Sequence, residues 1–352
     1  MLLDLIKVFL PALLAFALGI CITPVISHYL YSHRMWKKRT GKSDETPLFN
    51  KLHETRETGT PRMGGVIIWI SAAIAIVGIY TLAGFSDIPL IAKLDFLSRS
   101  QTWIPFAALL IGASIGLIDD LLEVRGTGDY KAGGLSLWKR LLVVGVVGLL
   151  AGFWFHYKLD VTTIGIPYFG LLHLGWLIIP LFTLLMLAVY SGGIIDGIDG
   201  LAGGIFAVIF GAYGAIAFFQ SQIDLAAFCA ALLGGILAFL WFNIPPARFY
   251  MSETGSMALT LTLAIVAFMT DSLGEGEGLF VLPIIAFPLF ATSASVILQK
   301  LWKRFFGGKL LIISPLHHHF EAIGWPSYKL TMRYWVLSVI FALLGLIVTL
   351  VS

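Results

Sequence analysis

Charge is scarce in this chain. Asp, Glu, Lys and Arg make up 12% of its 352 residues, where an ordinary soluble domain carries about 25%. No polar stretch is long enough to form a second core, which excludes a water-soluble partner domain and leaves one membrane domain over residues 1–352. Cysteine is nearly absent. Cys21 and Cys229 both sit inside apolar runs, so a disulfide framework and a cysteine-based zinc site are excluded and both read as packing residues. A cleavable leader is not expected, because the first apolar run is too long and lacks a small-residue cleavage pattern; it reads as an uncleaved first span. What is abundant is apolar: 58% hydrophobic residues and a mean hydropathy of +0.91. The chain reads as an all-α integral membrane protein in contact with membrane lipids, and no nucleic-acid partner is expected.

A hydrocarbon core needs about 20 helical residues to cross. About ten runs qualify, near 3–31, 64–84, 102–121, 136–155, 171–190, 201–220, 225–243, 256–270, 279–302 and 331–351. Pro283 and Pro288 are expected to bend the ninth, since each removes a backbone donor. Ten spans put both termini and the loops near 85–101, 156–170, 221–224 and 271–278 on one side. That side holds only Lys7, Lys93, Arg99 and Lys158 of the 23 basic residues. By the positive-inside rule it is the outer side, with periplasmic termini.

The acidic residues gather on the opposite, cytoplasmic face. Asp119 and Asp120 close an apolar run in IGASIGLIDDLLE (111–123). Two adjacent carboxylates repel each other, and at a helix C-terminus they meet the negative end of the dipole, so they need a compensating partner. A divalent cation would supply it, and Mg²⁺ suits a carboxylate and phosphate site. In SGGIIDGIDGLAGG (191–204) the glycines suggest a loop feeding a helix N-terminus, a place that favours bound phosphate. Asp196 and Asp199 beside it would repel phosphate unless a cation intervened. The alternative is glycine-mediated packing with Asp as an N-cap. A cytoplasm-facing cleft carrying a metal-bridged phosphate is therefore expected.

Three weaker stretches lie on the same face. NIPPARFYMSETGS (243–256) offers Asn243, Tyr250 and Glu253; an aromatic and an amide can hold a base, though an interfacial Tyr is commonly a membrane anchor. SPLHHHFE (314–321) has three consecutive histidines, whose directions on a helix diverge by about 100°, which favours binding an anionic substrate over a zinc site. TGTPRMGG (58–65) closes a loop rich in Lys and Arg that suits anionic headgroups or a phosphate-bearing substrate.

Taken in order, GTPRMGG, IDDLLE, DGIDGLAGG, NIPPARFYMSETGS and PLHHHFE resemble the polyprenyl-phosphate N-acetylhexosamine-1-phosphate transferase superfamily, and PLHHHFE narrows the likeness to its phospho-N-acetylmuramoyl-pentapeptide transferase branch. The resemblance implies attack of undecaprenyl phosphate on the sugar-linked phosphate of UDP-N-acetylmuramoyl-pentapeptide, giving lipid I and UMP, with Mg²⁺ required and a homodimer as the assembly. It implies catalytic roles for Asp119, Asp120, Asp196, Asp199 and Glu253, the metal falling to Glu253, Asp196, Asp119 and Asp120. Asn243 and Tyr250 would hold uridine, with Gly197 beside them. His318 and His319 would face the sugar-phosphate and peptide side, and Lys139 in GLSLWKR and Arg56 would supply positive charge. The chain departs from the pattern in having Glu253 where the family has a metal-binding Asp, Ser252 in place of a glycine, and Gly193 in place of an Asn. A relative handling another UDP-N-acetylhexosamine and a low-activity paralogue are the alternatives. A transporter would place its acids near span centres instead.

Overall fold

The computed structural model describes residues 2–36, 59–86, 88–98, 101–127, 133–272, 276 and 278–351; Arg56 lies outside them. The long helices are α1 (Leu2–Ser32), α2 (Val66–Phe85), α3 (Trp103–Arg125), α4 (Leu137–Lys158), α5 (Ile178–Ser191), α6 (Leu201–Phe219), α7 (Ile223–Asn243), α8 (Ser252–Ser272), α9 (Phe287–Phe306) and, after the short α10 (Leu316–Ala322), α11 (Ser327–Val351). Nine segments among the described residues, containing α1–α8 and α11, are long and apolar enough to cross a membrane. The protein is thus a mostly helical, multi-pass membrane protein.

Two expectations change in detail. The run at 279–302 is broken, not bent. A short helix, Leu282–Ile285, and α9 meet at Ala286, with Pro283 and Pro288 each in the first turn of its helix, where the missing N–H costs nothing. α9 ends in Lys300, Lys303 and Arg304, a charge density that sets it apart from the nine apolar segments. The fold is also not purely α. Strands β1 (Thr163–Ile166) and β2 (Gly170–His173) form an antiparallel hairpin with Thr163 opposite His173 and Ile166 opposite Gly170. β-branched Thr163, Ile164 and Ile166 favour the pleat, Gly170 turns at φ 82°, and Asp271 at the end of α8 accepts the Gly165 N–H at 2.9 Å. β2 occupies the start of the run expected to be a span at 171–190.

α8 is the centre of the bundle. Every residue from Thr254 to Asp271 is buried, against α3, α5 and α6. Its threonines satisfy themselves on their own helix, Thr260 and Thr262 donating to Ser256 O and Ala258 O at 2.7 Å. α3 presses on it through small residues. A Cβ on Gly112 would stand 2.9 Å from Ala258 Cα, and one on Gly116 would overlap the Glu253 carbonyl. With no side chain in the way the backbones touch, and the C-terminal turn of α3 lands on the N-terminus of α8.

A second close approach seats the segment before α2. Tyr250 N–H donates to Pro61 O, Gly64 N–H to Tyr250 O and Gly65 N–H to Met251 O, at 2.9, 2.7 and 3.1 Å. Side chains at Gly64 or Gly65 would collide with the Phe249 ring and the Gly255 backbone. The paired glycines of TPRMGG are therefore what brings Arg62 to the start of α8.

Candidate active site

Three successive N–H groups open α8, and all three meet carboxylates from other parts of the chain. Ser252 N–H donates to Asp196 Oδ2 at 2.8 Å. Glu253 and Thr254 N–H donate to Asp120 Oδ1 and Oδ2 at 3.2 and 2.9 Å. A helix leaves its first N–H groups without intrahelical partners, and its dipole favours anions there. Asp120, wholly buried, is thus stabilised by the positive end of α8 despite standing at the unfavourable end of α3. Burial pushes the Asp196 carboxyl above the usual carboxylate range, opposed by the Ser252 N–H and by the Arg62 charge.

Asp119 has a different partner. Its Oδ1 accepts the Leu135 N–H at 2.5 Å, and its Oδ2 faces Arg140 Nη2 at 3.0 Å. The same guanidinium places Nη1 2.5 Å from Glu253 Oε1 and donates from Nε to Leu135 O at 3.1 Å. The buried Tyr190 of α5 stands beside Arg140. One planar fork therefore ties α3, α4 and α8 together, the geometry for which Arg is suited and Lys is not. Nearby, Arg62 Nε lies 3.0 Å from Glu123 Oε2. The repulsion between adjacent acids is offset by protein groups: a helix N-terminus for Asp120, a guanidinium for Asp119.

A second group surrounds the loop before α6. Gly200 turns at φ 74° and gives its N–H to Asn243 Oδ1 at 3.0 Å, while Asn243 Nδ2 donates to Phe249 O at 2.8 Å. Asp199 Oδ2 accepts the Ala247 N–H at 3.1 Å. Asp199 and Tyr250 line a cavity of about 450 Å³ with Thr60 and Tyr328, and it adjoins another of about 350 Å³ bounded by Asp199, Glu321 and Trp325. His317 and His318 stack over Gly197, whose Cβ would lie 2.8 Å from the Nε2 of each. His319 turns away and accepts the Ile312 N–H at 3.3 Å.

Of the residues singled out in the sequence, Asp119, Asp120, Asp196 and Glu253 come together at the start of α8. Asn243, Asp199, Tyr250, Gly197 and His318 lie around the neighbouring loop. Lys139 is exposed on the first turn of α4, and the next residue, Arg140, pairs with Asp119 and Glu253. Neighbours on a helix point about 100° apart, so only the orientation of α4 decides between them. Arg140, Arg62, Glu123, Tyr190 and Glu321 were not singled out. Glu123 stands four residues after Asp119, hence on the same helix face, the one signal the sequence did carry.

Among the described residues no three acid or histidine side chains are grouped closely enough to enclose an ion by themselves. Mg²⁺ usually takes one or two carboxylates together with water and substrate phosphate oxygens, and that smaller demand is met chemically here. Asp119 Oδ2 is buried and ion-paired with Arg140 but makes no hydrogen bond, and Glu253 and Asp196 present further carboxylate lone pairs. Asp120, with both oxygens on backbone N–H groups, is the least suited of the four.

Residues 102–271 match glycosyl transferase family 4. The chain is 32% identical over 339 residues, 95% of its length and 96% of the relative's, to the phospho-N-acetylmuramoyl-pentapeptide-transferase of Listeria monocytogenes. It is 31% identical to the enzymes of that name from Lactobacillus acidophilus, over 94% of both chains, and from a Geobacillus species, over 96% of both. The chain belongs to the phospho-N-acetylmuramoyl-pentapeptide-transferase family.

Proposed function

We propose that this protein transfers phospho-N-acetylmuramoyl-pentapeptide from its UDP-activated donor to undecaprenyl phosphate, releasing UMP and forming lipid I, at a cleft facing the cytoplasm. The observation that carries the reading is the meeting of Asp119, Asp120, Asp196 and Glu253 at the N-terminus of α8, beside a cavity walled by Asp199 and Tyr250. Phosphoryl transfer needs positioning and charge neutralisation more than covalent help. Tyr250 and Asn243 hold the uridine end. His318, over Gly197, faces the sugar-linked phosphate. An oxygen of the lipid phosphate attacks that phosphorus, the bond to the UMP oxygen breaks, and UMP leaves. Asp119 Oδ2 receives any proton the lipid phosphate still carries. Mg²⁺, held by Glu253 with Asp119 or Asp196, would neutralise the diphosphate when bound. Arg140 holds Asp119 and Glu253 in place.

Purified protein given both substrates is expected to release UMP, and release should stop when Mg²⁺ is chelated. Tight nucleotide binding without release would identify a low-activity paralogue, a reading that Glu253 and Gly193 favour. Release from another UDP-N-acetylhexosamine would move the specificity.

Glu253→Asp tests that alternative directly. Shortening the side chain by about 1.5 Å, one C–C bond, withdraws the carboxylate from Arg140 Nη1, now at 2.5 Å. A hydrogen bond between charged groups contributes about 1.5–3 kcal/mol, so turnover should fall about tenfold or more. A rise in kcat would instead mark Glu253 as an impairment.

A further inference from the structure

The histidine run carries a feature that phosphoryl transfer at α8 does not account for. His318 Nδ1 lies 2.8 Å from Glu321 Oε2, and the other oxygen, Oε1, accepts the Ser327 hydroxyl at 2.6 Å. The His318 and Glu321 side chains are only 6% and 8% exposed, so the contact is shielded from water. Two elements hold it: α10 supplies His318 and Glu321 one helical turn apart, and Ser327 is the first residue of α11.

An ionised carboxylate can only accept, so the His318 proton facing it sits on Nδ1. That fixes the ring's tautomer and its rotation, and it turns Nε2 toward Gly197, where a Cβ would lie 2.8 Å away. Gly197 in turn stands between Asp196, bound to the start of α8, and Asp199, which lines both cavities. A carboxylate behind an imidazole orients it and stabilises its positive form when the far nitrogen takes a proton. We propose that Glu321, braced by Ser327, is a positioning residue that holds the His318 ring with a proton on Nδ1, so that Nε2, once it takes a second proton, is the donor presented to the anionic sugar-phosphate beside Gly197. This rests on the transferase reading above, with His318 on the donor's phosphate side.

The test combines a spectroscopic and a kinetic readout on the full-length protein in lipid nanodiscs. With ¹⁵N-labelled histidine, the signals lost in His318→Gln identify that ring, and they should report a protonated Nδ1. In Glu321→Ala this assignment should vanish, while Glu321→Gln should retain it, because an amide oxygen still accepts the Nδ1 proton. In the UMP-release assay, Glu321→Ala should lose about 10- to 100-fold in kcat, the scale seen for groups that orient a functional histidine, with UMP affinity unchanged within about twofold. Glu321→Gln should recover most of the loss. A His318 signal without a proton on Nδ1, or the same signal in wild type and Glu321→Ala, would overturn the assignment, as would wild-type kcat in the alanine variant. If the wild type fails to turn over the muramoyl donor, the transferase reading falls, while the ¹⁵N spectra still decide the role of Glu321.

Discussion

Arg140→Leu is expected to abolish most activity and to lower stability together. The guanidinium faces Asp119 at 3.0 Å and Glu253 at 2.5 Å, and it donates to Leu135 O. Asp119 is 1% exposed, so removal of Arg140 leaves a buried carboxylate beside a second one of like charge. Breaking a buried pair by deleting one partner costs about 3–5 kcal/mol, most of it the penalty of the stranded charge. The activity loss should reach about 100- to 1,000-fold, as for other preorganised electrostatic groups. Arg140→Lys separates charge from shape: an ammonium neutralises one acid at a time but cannot span both, so it should restore stability more than turnover. Thermal midpoints in nanodiscs and UMP-release rates make the comparison. A leucine variant within a few-fold of wild type would show that the bridge is incidental to the chemistry.

Much of this site was legible in the sequence, and the missing parts are those set by tertiary approach. Apolar runs located the spans, because a membrane-crossing helix leaves a long unbroken signal. The acids of IDDLLE, the DGIDG run and MSETGS were recognisable as one group from their shared side and from family resemblance. The partner of Asp120 was not recognisable. It is a helix start 133 residues away, brought into range because Gly112 and Gly116 let two backbones touch. Arg140 could not be separated from Lys139, since a one-residue choice on a helix depends on how α4 is rotated against α3 and α8. The hairpin at Thr163–His173 was hidden for a simpler reason: Leu171 and Leu172 of its second strand run on into the apolar stretch of the helix that follows, and hydropathy alone marks no boundary between them.

Asp120→Ala is expected to be as damaging as any substitution at the site, but through a different route. Its two oxygens hold the Glu253 and Thr254 N–H groups in a place without exposure to solvent. Alanine leaves both donors buried and unpaired, at about 1–3 kcal/mol each, in addition to the cavity where the carboxylate stood. The first turn of α8 should fray, and Glu253, carried on that turn, would lose its register with Arg140. Asp120→Asn makes the origin of the effect visible. Its amide oxygen can keep one N–H, but its NH₂ would point a donor at the other, so stability should fall to an intermediate value and activity should fall with it. If Asp120 acted on the substrate instead, the asparagine variant would keep its thermal midpoint while losing kcat. Parallel loss in the two measurements would therefore place Asp120 as the residue that aims α8 at the cleft, a role in which being essential does not require touching the reacting phosphates.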